Sequence, residues 1–144
     1  MLALDTNILV YASLPDSPYY ADALALVSGL AASPAPWAVP WPCVYEYLRV
    51  MTDSRTKPAP LSLEDAWDNV RVLLGAPGLQ LLAQSSAHAE VLETVLRDAQ
   101  ARGSRIHDAH IAALCIEHGV AELITADRDF RRFSGLRIRD PFHA

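Results

Sequence analysis

The chain has 144 residues, a length that suits one domain able to bury roughly two thirds of its unfolded surface. Apolar residues make up 51% and charged residues 20%, which excludes a disordered chain and predicts an ordinary globular domain. The formal net charge of −5 argues against general affinity for nucleic acid or anionic membranes. The charge is uneven, because eight of the twelve basic residues follow Leu96. A basic patch in the second half, with Arg128, Arg131 and Arg132, is compatible with this distribution.

The first half of the chain alternates short apolar runs with helical patterns. A proline-rich segment, SPAPWAVPWP, contains only three residues between Pro36 and Pro40, so it predicts a proline-bounded strand and no domain boundary. Ser62 is expected to cap a helix, with Asp65 three residues later. The predicted elements are the strand Met1–Leu4, the helices Asn7–Leu14 and Tyr20–Ala32, the strand Trp37–Val39, the helix Cys43–Met51 and a helix from Ser62 to about Leu74.

The second half continues the alternation. Its predicted elements are the strand Leu79–Leu82, the helix Ser86–Ala101, a helix from Ser104 to Gly119, the strand Glu122–Thr125, the short helix Arg128–Phe133 and the strand Leu136–Arg139. Strands that alternate with helices favour an α/β fold. We therefore expect a single domain over residues 1–144, built as a three-layer α/β/α sandwich around a mainly parallel, roughly five-stranded sheet.

The two cysteines indicate the cellular compartment. Cys43 and Cys115 lie far apart among apolar residues, without a Cys-x-x-Cys motif, so both are predicted to be buried free thiols. Such thiols suit a reducing cytoplasm. Met1 runs straight into apolar residues without a basic region, and no apolar stretch is long enough to span a membrane. A cytoplasmic location is the expectation.

Two acids follow predicted strands. Asp5 ends the first apolar run in LALDTNILVYA, and Asp127 closely follows the strand ELIT. In open α/β sheets, ligands bind beyond the carboxyl ends of the strands, so these two side chains are placed to meet there. Asp is also a favoured N-cap residue, and helix capping is the alternative interpretation of each.

Two further acids lie on apolar faces of predicted helices. Asp108, in RIHDAHIAALCIEHG, shares its face with Ile111 and Cys115. A carboxylate at such a buried edge needs a cation, a donor or a proton, and a helix cap or a salt bridge to an arginine is the alternative. Glu46, in PCVYEYLRVM, occupies a similar place, although Arg49 is positioned to pair with it and a solvated edge is the alternative.

Together the four acids suit a hard cation. Carboxylate oxygens are the ligands that Mg²⁺ and Mn²⁺ prefer. Clustered carboxylates repel one another until a divalent ion neutralises them. One or two such ions activate water and stabilise the leaving oxygen in phosphodiester hydrolysis. The pattern therefore favours a metal-dependent hydrolase.

Four segments, LDTNILVYA, PCVYEYLRV, IHDAHIAALCIEHG and LITADRDFRRF, stand in the order found in PIN-domain nucleases. The chain most closely resembles the VapC toxins of bacterial VapBC toxin–antitoxin modules, and the resemblance extends over essentially the whole chain. It implies a PIN-like fold and an endoribonuclease that hydrolyses RNA phosphodiester bonds with water activated by Mg²⁺ or Mn²⁺. It also implies a homodimer and a small VapB antitoxin that inhibits the toxin.

The resemblance also assigns roles to individual residues. The acids it implies as both catalytic and metal-binding are Asp5, Glu46, Asp108 and Asp127. Asp129 is an auxiliary metal ligand, because the family shows acids at either place in this loop. Asn7 and Thr125 match polar positions that support the acids through hydrogen bonds.

Other functions are compatible with the same residues. One is a non-catalytic module that binds RNA or an antitoxin through the acidic pocket. Another is a phosphatase with Asp5 as nucleophile, although such enzymes commonly place a second acid where this chain has Asn7. His107 and His110 flank Asp108 and are expected to point away from its face, and Tyr45 is expected in core or dimer packing. The identity of the target RNA is left open.

Overall fold

The computed structural model describes residues 1–143 and contains a five-stranded sheet. Its strands are β1 (Leu2–Leu4), β2 (Trp37–Pro40), β3 (Leu79–Leu82), β4 (Glu122–Ile124) and β5 (Arg137–Arg139). The strand order is β3-β2-β1-β4-β5, and all four pairings are parallel. The predicted α/β fold is confirmed, with a sheet whose observed pairings are entirely parallel.

Helices flank this sheet. They are α1 (Thr6–Tyr11), α2 (Tyr20–Ala32), α3 (Trp41–Thr52), α4 (Leu63–Leu74), α5 (His88–Asp98), α6 (Arg105–Glu117) and a 3₁₀ helix (Arg128–Arg132). α2 has the predicted bounds, and the Ser62 hydroxyl accepts from the Asp65 amide as a cap of α4. α5 is shorter than predicted, and Gln100 follows it with a φ of 49°, which is not helical. Within residues 1–143, no helix is both long and apolar enough to cross a membrane.

The centre of the sheet carries much of the core. Leu4 of β1, Trp37 of β2 and Leu123 of β4 are fully buried, as expected of a parallel sheet covered by helices. Because β1 lies between β2 and β4, its carboxyl end adjoins theirs. The Asp5 amide donates to the Ile124 carbonyl over 3.1 Å, so the loops after β1 and β4 leave the sheet side by side.

Both cysteines are free and buried, as predicted. Burial, and secondarily the Asp5 carboxylate, raises the pKa of the Cys115 thiol to about 12. Burial also raises the pKa of Cys43 far above its usual value. Because the thiolate is the reactive form, neither side chain is a nucleophile near neutral pH. These cysteines serve packing.

Hydrogen bonds to Glu117 connect the last turn of α6 to the start of α5. Its carboxylate accepts the Ser85 amide over 2.8 Å and lies 2.6 Å from Nδ1 of His88. The Glu117 side chain has no exposed surface. Burial alone would raise the pKa of Glu117, but the hydrogen bonds from Ser85 and His88 outweigh it and the pKa is lowered. The ionised carboxylate therefore stabilises this junction.

The substitution Glu117→Gln is expected to lower the free energy of unfolding at pH 7 by about 1–3 kcal/mol. Because the folded-state pKa lies below the ordinary 4.5, the contribution of Glu117 is complete above that value and is lost as pH falls through the folded-state pKa. Urea unfolding at several pH values should show the difference shrinking below about pH 4. Glu93→Gln, which removes an exposed ion pair with Arg97, is the control. A difference independent of pH would contradict the assignment.

Candidate active site

Four predicted acids line one pocket of about 310 Å³ beside the carboxyl ends of β1 and β4. Asp5 directly follows β1, and Asp127 follows β4. Glu46 lies on α3, which begins immediately after β2, and Asp108 lies in the first turn of α6. Three adjacent parallel strands and one crossover helix thus bring together residues that are far apart in sequence.

Asp5 is buried, and its two carboxylate oxygens have different partners. One carboxylate oxygen accepts the Thr6 amide over 2.7 Å and caps α1. The other accepts the Thr125 hydroxyl over 2.8 Å. Burial raises the pKa of Asp5, although the hydrogen bonds from Thr125 and Thr6 oppose the shift. The capping interpretation is correct, and it does not remove the carboxylate from the pocket.

The buried Thr125 hydroxyl links the loops around the pocket through hydrogen bonds. Its hydroxyl donates to Asp5 and accepts from Asn7 Nδ2 and from the Asp127 amide, both over 3.0 Å. A hydroxyl has one proton and two lone pairs, so all its hydrogen-bonding capacity is used. The Asn7 carbonyl oxygen in turn accepts the Ala126 amide over 3.3 Å. These bonds join the loop after β1 to the loop after β4.

Asp127 caps the 3₁₀ helix, because its Oδ1 accepts the Asp129 amide over 2.9 Å. The Asp127 side chain also lines the pocket. Asp129 is exposed and lies outside the pocket lining within the described chain. Its charge still contributes, as the smallest cause, to the raised pKa of Asp108.

Asp108 is a half-buried acid of the pocket, and its surroundings shift its pKa strongly. Burial, followed by the charges of Asp127 and Asp5, raises its pKa to about 6. Ser104 occupies the N-cap position of α6, so Asp108 is not a cap. Among residues 1–143, no salt bridge involves Asp108. Both alternatives for this residue are therefore wrong, and the charges of Asp127 and Asp5 outweigh that of His107, which favours the ionised form of Asp108.

Glu46 has the arginine partner that its helical spacing predicts. The Arg49 guanidinium donates to both Glu46 oxygens, with Nε 3.0 Å from Oε2. This hydrogen bonding is the main reason that the pKa of Glu46 lies below its usual range. Glu46 still lines the pocket, so Arg49 neutralises one of its four acids.

His107 lines the pocket, contrary to the expectation that it points away from Asp108. It also lines an adjoining cavity of about 880 Å³ together with Glu46. Tyr45 borders this cavity with 66% of its surface exposed and stacks on Trp41 with ring centroids 6.0 Å apart. The sequence does contain a sign of this location, because His107 stands directly beside Asp108 in the first turn of α6.

The donor set fits a hard cation. Within residues 1–143, no three candidate side chains are close enough to bind one ion together. Mg²⁺ usually needs only one or two carboxylates, because it keeps several waters. Burial, and after it the charges of Asp127 and Asp5, raises the pKa of Asp108, and a cation among these acids would relieve their repulsion.

Known proteins share this sequence and fold. The sequence profile of the PIN domain matches residues 2–136. Ribonuclease VapC48 of Mycobacterium tuberculosis is 36% identical over 138 residues, which cover 96% of this chain and 95% of that protein. Ribonuclease VapC43 of the same organism is 38% identical over 141 residues, which cover 98% and 95%.

Among solved structures, one chain of the Rickettsia felis VapBC2 complex, crystallised with a DNA fragment from its promoter, superposes with a TM-score of 0.66. Its sequence identity is 20%, and the match covers 96% of both chains. This structure shares the fold, while the mycobacterial relatives share the sequence over nearly its whole length. The chain therefore belongs to the PIN-domain family and, within it, to the VapC ribonucleases.

Proposed function

We propose that this protein is a metal-dependent endoribonuclease, the toxin component of a type II toxin–antitoxin module, and that it hydrolyses RNA phosphodiester bonds in the cytoplasm. The observation that carries the proposal is the convergence of four acids on one pocket, where Asp108 lies near Asp127 and Asp5 and forms no salt bridge within residues 1–143. The names of the mycobacterial relatives support the reaction class.

The proposed catalytic and metal-holding residues are Asp5, Glu46, Asp108 and Asp127. Asp129 is an auxiliary ligand, supported by the effect of its charge on Asp108 although it lies outside the pocket lining of the described chain. Bound Mg²⁺ or Mn²⁺ supplies charge neutralisation and water activation for phosphodiester hydrolysis. In this scheme Asn7 and Thr125 orient the carboxylates through hydrogen bonds.

The acids of the pocket have different proposed roles because their hydrogen-bond partners differ. Thr6 and Thr125 hold both oxygens of Asp5, so this carboxylate has a fixed orientation. Arg49 keeps Glu46 ionised and limits the excess negative charge that an incoming phosphate meets. The adjoining cavity of about 880 Å³ offers room for nucleotides on either side of the reacting phosphate.

Two partners belong to the proposal. We propose a homodimer and a cognate VapB antitoxin that blocks the acidic pocket. The structural neighbour is one chain of a VapBC complex, which supports an antitoxin partner. Growth arrest by the protein alone, reversed by co-expression of a cognate VapB antitoxin, is the corresponding measurement.

The direct test is cleavage of total cellular RNA by purified protein in Mg²⁺, Mn²⁺ or excess EDTA. We expect discrete fragments with either ion and none in EDTA, with cleavage restored when Mg²⁺ is added back. An identically prepared Asp108→Asn protein controls for contaminating nucleases. Fragments that persist in EDTA, or that appear equally with the variant, would contradict the proposal.

A second candidate function, a non-catalytic RNA- or antitoxin-binding module, is favoured by two observations. Glu46 is engaged by Arg49, and within the described residues no three candidate groups converge closely enough to bind one ion. Such a module acts by occupancy and needs no hydrolysis. Growth arrest that survives the Asp108→Asn change would favour it.

A further inference from the structure

A second concave site lies beside the acidic pocket and carries the opposite charge. It is a cleft of about 490 Å³ lined by three arginines, Arg102, Arg105 and Arg132, together with residues 99–101. Arg102 and Arg132 are exposed, and Arg105 is partly buried. We call this site the arginine cleft.

Within the described part of the chain, the guanidinium groups of the arginine cleft have no partner side chain. Among residues 1–143, none of its three arginines forms a salt bridge or a side-chain hydrogen bond, whereas five other arginines of the chain pair with acids. Three unpaired cations repel one another when they share a small concavity. A ligand with several negative charges would remove that repulsion and occupy their planar donor groups.

The arginine cleft and the acidic pocket share two structural elements. Arg105 precedes Asp108 by three residues on α6, and residues at this spacing are neighbours on a helix surface. Arg132 ends the 3₁₀ helix that Asp127 caps. Arg128 and Arg131 on that helix are exposed and likewise unpaired within the described chain. The arginine cleft therefore lies on the same two elements that carry Asp108 and Asp127.

We propose that the arginine cleft binds the phosphate backbone of the RNA strand, away from the phosphate that is cleaved in the acidic pocket. This inference rests on the proposed function for its substrate, but its chemistry is separate. The acidic pocket repels a polyanion in the absence of cations, so binding energy must come from a neighbouring surface. Arginines that contact phosphate give affinity with little dependence on base sequence.

The test measures binding without catalysis. A fluorescein-labelled 20-nucleotide poly-uridine RNA is titrated with protein in EDTA at several KCl concentrations, and anisotropy gives the dissociation constant. The cleft variant carries Arg102→Gln, Arg105→Gln and Arg132→Gln. The matched control carries Arg55→Gln, Lys57→Gln and Arg71→Gln, which removes the same charge from exposed positions elsewhere. Circular dichroism and Tm establish that both variants are folded.

We expect the cleft variant to bind at least about tenfold more weakly than the control near 0.1 M KCl. The slope of log K against log [KCl] should become shallower by about 2, because three phosphate contacts to a single strand are lost. Equal affinities and slopes for the two variants would overturn the proposal. So would a result in which the cleft variant loses binding to labelled poly-glutamate but not to RNA, because the occupant would then be an acidic polypeptide.

The same proteins separate this inference from the proposed function. If the wild-type protein cleaves no RNA but the cleft variant alone loses RNA binding, the arginine cleft is supported and the nuclease is not. If the wild-type protein cleaves RNA and both variants cleave and bind equally, the nuclease is supported and the arginine cleft is overturned. Cleavage that falls only in the cleft variant, with tenfold weaker RNA binding, supports both.

Discussion

Replacement of Asp108 by asparagine is expected to reduce RNA cleavage by about 10³-fold, to background. Asparagine keeps the size of the side chain but removes the charge that a hard cation requires. Asp108 forms no salt bridge with residues 1–143, and α6 is not capped by it. The fold should therefore survive the change. Initial rates on an RNA shown to be cleaved by the wild-type protein provide the measurement.

Thermal unfolding gives this prediction an independent readout. Burial and the charges of Asp127 and Asp5 disfavour the Asp108 carboxylate, as its raised pKa shows. In EDTA the variant should therefore unfold at or above the Tm of the wild-type protein, and Mg²⁺ should raise the Tm of the wild-type protein more. Asp68→Asn, on the exposed face of α4, is the matched control and should change neither property. Wild-type cleavage by Asp108→Asn would remove this residue from the active site.

Replacement of Thr125 by valine is expected to reduce cleavage by about 10- to 100-fold. Valine has nearly the same shape but lacks the hydroxyl that donates to Asp5 and accepts from Asn7 and the Asp127 amide. Both loops at the pocket lose their common partner, so the carboxylates lose their orientation. The free energy of unfolding should also fall by about 1–3 kcal/mol, because buried polar groups are left unpaired.

Thr125→Ser distinguishes orientation from packing. Serine retains the hydroxyl, so its cleavage rate should stay within a few fold of the wild-type rate even though a buried methyl group is lost. The Mg²⁺ concentration for half-maximal cleavage should rise in the Thr125→Val variant and stay near the wild-type value in the Thr125→Ser variant. Equal losses of activity in both variants would show that Thr125 contributes packing and does not orient Asp5.

The strands and most helices could be predicted because their boundaries are local. Proline and glycine residues mark the ends of the short apolar runs. Strand β3 and helix α2 accordingly have the predicted bounds. The pairing of Glu46 with Arg49 was likewise readable from helical spacing. The strand order could not be predicted in this way, because β1 pairs with β4 across more than a hundred residues and no local sequence pattern specifies that pairing.

The pocket was only partly predictable. The residue pattern alone grouped Asp5 and Asp127 at strand ends with Glu46 and Asp108 on helix faces, but the family resemblance was needed to assign each acid its role. The helical pattern misplaced His107, because it treats α6 in isolation whereas the pocket extends around the first turn of that helix. The threefold bonding of the Thr125 hydroxyl depends on the approach of two loops, which exists only in the folded chain.

The position of β1 in the middle of the parallel sheet has a consequence for synthesis on the ribosome. Asp5 is among the first residues made, but its hydrogen-bond partner Thr125 lies 120 residues later. Until β4 has been synthesised and has paired with β1, the acids of the pocket cannot meet. Under the proposed function, the nascent chain therefore cannot cleave RNA until nearly the whole domain has left the ribosome.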